Sequence, residues 1–456
     1  MSSTPAPGDS SRRSAGWSAA FLVVSRASAL VSVPILLHGL GTDLYAVWVL
    51  ASTVIFAQGL VDLGFSATLV RFVALGAAER SRRAVRVVVR RVAIVYGALS
   101  LIGVVMWLAA EPFARSLPYL DDDEIGDAVA LVRYSAVAFA LTNATTLISA
   151  ALQGLDRVGS SYRAQTLGAA AFVPLLAVGM GTLSTTAAVG LAVIGSYAIQ
   201  LALLAPALWR NVARLEDEPA ETPTLHAMLA IGMRWQVSSW ADFATFQLPR
   251  IAAGLSLSSG AVVVIDLALR FGQAVAMPVF ALLPLVLPRA SIAWACRGRA
   301  GVQEFLRPLI ATGAPLYVLG AAIAVPTTSS AIEAWTGQGL ASGEAVAASL
   351  VVLGVLAHAS TGLLSSVRLA AGEVGAVMRY KSLQLALAIP LVGVGAQLGS
   401  LALAAGLLIA LLVPAVWFNV IASREVSVRW PLSPRLLLAA LGVAAVSTSV
   451  VLLVMP

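Results

Sequence analysis

Seven polar side chains stand inside stretches that otherwise ask for hydrocarbon: Arg26, Gln58, Asp242, Arg250, Asp266, Arg270 and Gln273. Arg26 lies some nine residues into the run 17–38, about 13 Å along a helix at 1.5 Å per residue. An Arg at that depth costs ~2.5–3.5 kcal/mol on insertion scales, so it faces protein or a watery cavity rather than lipid. Ser18, Ser25, Ser28 and Ser32 form a small polar stripe on the same run, on a different sector from Arg26. Arg26 either contacts an anion or is satisfied by carbonyls or by an acid on another helix. In "IDLALRFGQAV", Asp266 and Arg270 are four apart and share a helix face, which Gln273 continues. That face reads two ways: a self-neutralising pair that stabilises a bundle, or a hydrophilic wall whose Arg forks toward a phosphate. Asp242 and Arg250 are eight apart and face different sectors; Arg250 is expected near the outer interface. Asp242 and Asp266 are the candidates for coupling to an ion, while Arg26, Arg250, Arg270, Gln58 and Gln273 are the candidates for holding substrate. The three basic residues within runs suggest an anionic one.

The elements that position these groups follow from composition. Of the 456 residues 59% are apolar and 11% charged, against roughly 25% charged in soluble domains. The mean hydropathy is +0.91. Apolar runs of about 20 residues recur, each long enough to cross a ~30 Å hydrocarbon layer as a helix. Thirteen spans are expected: 17–38, 43–65, 92–110, 128–152, 164–182, 187–208, 227–252, 261–288, 306–327, 345–370, 379–399, 401–421 and 435–455. The run 17–38 reads as a retained first span rather than a cleaved leader. Residues 1–16, rich in Ser and Pro, read as a disordered tail.

Charge sets the orientation. With the N-terminus inside, 24 of the 29 Lys and Arg face the cytoplasm, among them Arg80, Arg82, Arg83, Arg86, Arg90, Arg91, Arg368, Arg379 and Lys381. The acidic "LDDDEIGD" (120–127) falls in an outer loop. The net charge of +7 then suits anionic lipid headgroups and calls for no nucleic acid. One cysteine, Cys296, and three scattered histidines leave no Cys/His metal cluster, and no phosphate loop of the ATPase kind occurs.

The chain repeats. Shifted by 215 residues, "PILLHGLGTDLYAVWVLASTVIFAQGL" (34–60) lies on "PRIAAGLSLSSGAVVVIDLALRFGQAV" (249–275) without a gap, matching at a Pro, a Gly, a Phe and a Gln among other positions. Gln58 thereby pairs with Gln273. Both halves begin inside, so the repeat is parallel, and in such folds substrate sites lie near mid-depth. The reading is an all-α, polytopic membrane protein. It has a tail (1–16), a six-helix lobe (17–215), a second six-helix lobe (216–424) and an additional C-terminal helix (425–456), with "WRNVARLEDEPAETPT" (209–224) as the cytoplasmic linker.

At "LHGLGTDLYAVWVL…VDLGFSATLVRFVALG" (37–76) the sequence resembles the Wzx-type polysaccharide flippases, of the superfamily shared with MATE-type drug/cation antiporters and lipid II flippases. The features are Leu40-Gly41, then Tyr45-Ala46-Val47-Trp48 with Ala in place of the usual Gly, then Asp62-Leu63-Gly64, and Arg71 beyond. The resemblance implies a transporter that flips a lipid-linked oligosaccharide across the plasma membrane. Two lobes would rock about a central cavity, cationic side chains would meet the pyrophosphate and acidic sugars, and the lipid tail would stay in the bilayer. No cofactor is expected, and the chain reads as a monomer among membrane lipids, with glycan-assembly enzymes as candidate partners. Members have twelve or fourteen helices, against the thirteen expected here.

Two other classes compete. A MATE-like antiporter for cationic drugs wants an uncompensated acid, and Asp242 is the best candidate. A membrane polymerase or ligase wants acid/base groups in a sizeable outer loop, but the outer segments 111–127 and 328–344 are short and lack His.

Overall fold

The computed structural model describes residues 9–218 and 222–426. The described residues form a chain of α-helices that divides into two compact units, Met1–Ser239 and Trp240–Pro456. The first unit holds α1 (Asp9–Val61), α2 (Phe65–Ala78), α3 (Arg82–Arg115), α4 (Ile125–Gly154), α5 (Val158–Thr182), α6 (Thr185–Ala213) and the first part of α7 (Leu225–Phe246). The second holds the rest of α7, then α8 (Leu248–Ser256), α9 (Ser259–Val275), α10 (Met277–Ala324), α11 (Thr328–Thr336), α12 (Ser342–Ala359), α13 (Gly362–Ala370), α14 (Val374–Leu398) and α15 (Ser400–Val426).

Nine of the described helices are long and apolar enough to cross a membrane, or ten if the bent pair α9 and α10 is one span. The difference from thirteen has a physical cause, since several expected spans are joined or broken by local backbone geometry. α1 carries the first two and breaks at Gly41, where φ is +76°, a conformation that favours Gly. α10 breaks at Gly298 and so carries the end of one span and most of the next. Gln247 separates α7 from α8, and the chain bends by 57° between α9 and α10. Twelve of the expected spans thus fall on described helices. The thirteenth, 435–455, and most of the segment 425–456 lie outside the described residues.

Two boundaries differ from expectation. Helix α1 begins at Asp9, so the second part of the expected tail is its opening turns, while residues 1–8 lie outside the described region. The contact boundary falls at Ser239 rather than 215. The linker does not hang free: Arg82 donates from Nε to Leu215 O at 2.9 Å and from Nη2 to Ala213 O at 2.8 Å. The Arg83 backbone N–H donates to Asp217 at 3.1 Å, and Arg91 donates to Pro223 O. Four residues of the expected inner basic rim therefore have a further task or a different place, since Arg368 is also buried and paired with Glu373.

The helices pair through a buried seam and leave apolar flanks outside. Leu108, Val105 and Ile94 of α3, and Leu398 and Val394 of α14, are all at least 60% exposed. Such large bare aliphatic surfaces suit lipid, not water.

The 215-residue repeat is visible helix by helix. Shifted by that amount, α5 would run over 373–397 and α6 would start at 400; α14 is observed at Val374–Leu398 and α15 starts at Ser400. The break after Val61 meets its counterpart at the bend after Val275.

The Asp62-Leu63-Gly64 corner shows why its motif is built as it is. Leu63 and Gly64 both have positive φ, turning the chain from α1 into α2. Asp62 caps the new helix, accepting from Ser66 Oγ at 2.8 Å and from the Ser66 backbone N–H at 3.3 Å, and it also accepts from the Tyr96 hydroxyl. A Cβ on Gly64 would stand 2.3 Å from the carbonyl oxygen of Gly232 in α7, so only Gly allows that approach.

Candidate functional site

The charged cluster in the second unit is built at the junction of α8 and α9. Pro249 sits in the first turn of α8, where its missing N–H costs nothing, and Ser258 caps α9 by accepting from the Ala261 N–H at 3.2 Å. These two short helices bring Arg250 onto Asp266. Arg250 Nε donates to Asp266 Oδ1 at 2.8 Å, and Arg270 Nε donates to Asp266 Oδ2 at 2.7 Å. The carboxylate is fully buried, the Arg250 side chain 7% exposed and the Arg270 side chain 21%. Two guanidiniums thus share one buried carboxylate in an apolar setting.

The two arginines differ in role. Arg250 also donates to Gln247 Oε1 at 3.0 Å and to the Phe246 carbonyl, closing its own helix junction. It is buried rather than placed at a surface to snorkel, so it positions Asp266 and does not offer its fork outward. Arg270 keeps a fifth of its side chain open. Asp266, read as an ion-coupling candidate, is enclosed between the two. Gln273 is half-buried one turn further along α9.

Asp242 lies on α7 and is paired as well. Lys381 Nζ of α14 donates to Asp242 Oδ1 at 2.5 Å. Sequence placed Lys381 on the inner rim beside Arg379; the structure places it within α14, its side chain 12% exposed. It is a further basic residue inside an expected span, as Arg133 and Arg368 also are. Periodicity along α14 carries the signal in hindsight, since Val377, Tyr380, Gln384 and Ala388 are its buried face and Lys381 adjoins that face.

Below this pair lies a neutral polar network. His358 Nδ1 and the Tyr380 hydroxyl are 2.8 Å apart, Thr361 Oγ1 is 3.2 Å from the same hydroxyl, and Asn419 Nδ2 donates to Ser360 Oγ at 2.9 Å. Gln384 Nε2 donates to Thr245 Oγ1. A small cleft beside Ser360 and Asn419 is lined otherwise by Tyr317, Leu353, Leu356 and neighbouring aliphatic groups. Its walls suit hydrocarbon, and none of the charged groups above lines it.

In the first unit the expected residues stand apart. Arg26 is exposed on α1. Gln58 is half-buried near the end of α1, and its Nε2 is buried without a hydrogen-bond partner. The repeat register puts Ile35, Ala51 and Ile55 where the second unit has Arg250, Asp266 and Arg270. It puts Ala27 and Thr166 where the second unit has Asp242 and Lys381. The scaffold is duplicated and these charges are not.

Fold and charge together define the class: a multi-pass helical membrane protein with the fold of the MOP-superfamily transporters. Similar to it, at 15% identity, is a multidrug resistance MATE family transporter of that superfamily in an inward-facing conformation. The match covers 90% of this chain and 94% of that one, with a TM-score of 0.68. A MOP superfamily transporter from Pyrococcus furiosus, described as having a binding pocket of reverse polarity that suggests a different function, matches at 16% identity. There 91% of this chain and 95% of that one are covered, with a TM-score of 0.61. A MATE structure in complex with MaD5 matches at 16% identity over 92% and 97%, with a TM-score of 0.60. No family model matches the sequence, and no curated protein does.

Proposed function

We propose that this chain is a transporter that flips a lipid-linked anionic oligosaccharide, a polysaccharide repeat unit, across the plasma membrane by alternating access. The observation that carries the reading is the Arg250–Asp266–Arg270 cluster, in which two guanidiniums share one buried carboxylate and Arg270 keeps a fifth of its side chain open. A guanidinium fork matches phosphate oxygens in two places at once. Arg26, exposed on α1, is a cation of the first unit. The Wzx resemblance at 37–76 supplies the substrate class, and the fold is one that transporters use.

The pairing of Asp242 with Lys381 counts against the MATE-like cation antiporter, which wants a free acid. The P. furiosus neighbour is described as having a binding pocket of reverse polarity that suggests a different function, which fits a fold whose charge pattern varies with its task.

The test is flipping of a fluorescent lipid-linked oligosaccharide by the full chain in liposomes. Protection of the label from a membrane-impermeant quencher should change with time in the presence of protein, and Arg270→Ala should slow it. A rate equal to that of protein-free liposomes removes the reading.

A further inference from the structure

The Asp242–Lys381 pair is lopsided. Lys381 is the covered partner at 12% exposure, and Asp242 the open one at 48%. A buried ammonium needs an anion on it, and Asp242 supplies one through one contact at 2.5 Å. A carboxylate that is half hydrated loses little when that contact breaks, so another anion can replace it without uncovering the Lys. The ammonium is also held in place from behind. It lies 5.7 Å from the centroid of the Tyr380 ring, whose hydroxyl is fixed by His358 and Thr361. The cation is therefore positioned by the protein core, while its counter-ion stands at an open edge.

We propose that Lys381 is an anion-receiving residue of the transport site and that Asp242 is its resident competitor: a phosphate oxygen of the headgroup displaces Asp242 from Lys381 on binding, and Asp242 returns to release it. This rests on the anionic-substrate reading above and adds to it a residue and an exchange. An ammonium is a point charge with three donors, so it accepts a phosphate oxygen in place of a carboxylate oxygen without a change of geometry. Ala27 and Thr166 occupy the corresponding positions of the first half, so the repeat does not duplicate the pair there.

The test is equilibrium binding of farnesyl diphosphate to the full chain in phosphatidylcholine nanodiscs, followed by titration calorimetry. Asp242→Asn should bind roughly tenfold more tightly than the unaltered protein, because the competitor is gone. Lys381→Met should bind at least roughly tenfold more weakly. The double variant Asp242→Asn/Lys381→Met, which carries no unpaired charge at this point, should bind as weakly as Lys381→Met and keep a normal melting temperature. Asp242→Asn binding no more tightly than the unaltered protein overturns the exchange, as does a double variant that binds as tightly as Asp242→Asn. The two readings fail separately. Absence of oligosaccharide flipping with this binding pattern intact removes the substrate and leaves the exchange; flipping with a flat binding pattern removes the exchange alone.

Discussion

Arg250 and Asp266, sixteen residues apart on two short helices, meet at 2.8 Å with the carboxylate wholly out of solvent. Charges so enclosed are neither cheap nor decorative: removing one partner of a buried pair costs about 3–5 kcal/mol, because the other is left uncompensated. Asp266→Asn should accordingly lower the melting temperature in detergent sharply. Arg250→Met/Asp266→Leu/Arg270→Met should recover part of the loss, since replacing all three members removes the cluster's charges together. A melting temperature unchanged in Asp266→Asn would show that the cluster is not held as described.

Arg270 should separate stability from transport. It is a fifth exposed and bonded to Asp266 at one nitrogen. Arg270→Ala should cut the flipping rate by about tenfold or more, the equivalent of ~1.4 kcal/mol, while the protein still inserts. Arg270→Lys should restore part, keeping the charge and losing the fork. Equal rates for all three in the liposome assay would take Arg270 out of the site.

Arg26 is exposed, so its loss should leave the melting temperature within about 0.5 kcal/mol of equivalent stability. Arg26→Ala should nevertheless slow transport. In a Cys296→Ser background, which removes the protein's one cysteine, Arg26→Cys should react with a membrane-impermeant thiol reagent. Failure to label would place the residue against lipid rather than water.

The corner at Gly64 makes a separate demand. Gly64→Ala would put a methyl 2.3 Å from Gly232 O at a residue whose φ is +73°. Both strain and overlap act, and overpacking alone costs about 1–3 kcal/mol. Thermal unfolding should show Gly64→Ala well below the unaltered protein. An unchanged melting temperature would contradict the packing.

Membrane potential provides a test of energetics. An anion leaving a negative interior gains ~2.3 kcal/mol per charge for each 100 mV crossed. Collapsing a potassium-diffusion potential in the flipping assay should therefore slow outward transport. An unchanged rate would point to another source of energy.

Much of this was written in the chain. Hydrophobic run length determines that the protein is a bundle of membrane-spanning helices, because only a helix satisfies its backbone within one segment in lipid. The 215-residue register predicts where the later helices begin and end, because duplicated segments keep the same breaks. Spacing alone also paired Asp266 with Arg270, which are neighbours on one helix turn. What spacing could not reach was any partner on another helix. Arg250 and Lys381 find their acids across junctions and across 139 residues of chain, where the packing of one helix on the next decides which side chains meet. Periodicity tells which face of a helix a residue occupies; only tertiary structure tells what that face touches. This is why Lys381 reads as part of a basic rim in sequence and stands as a covered cation beside Asp242 in the fold.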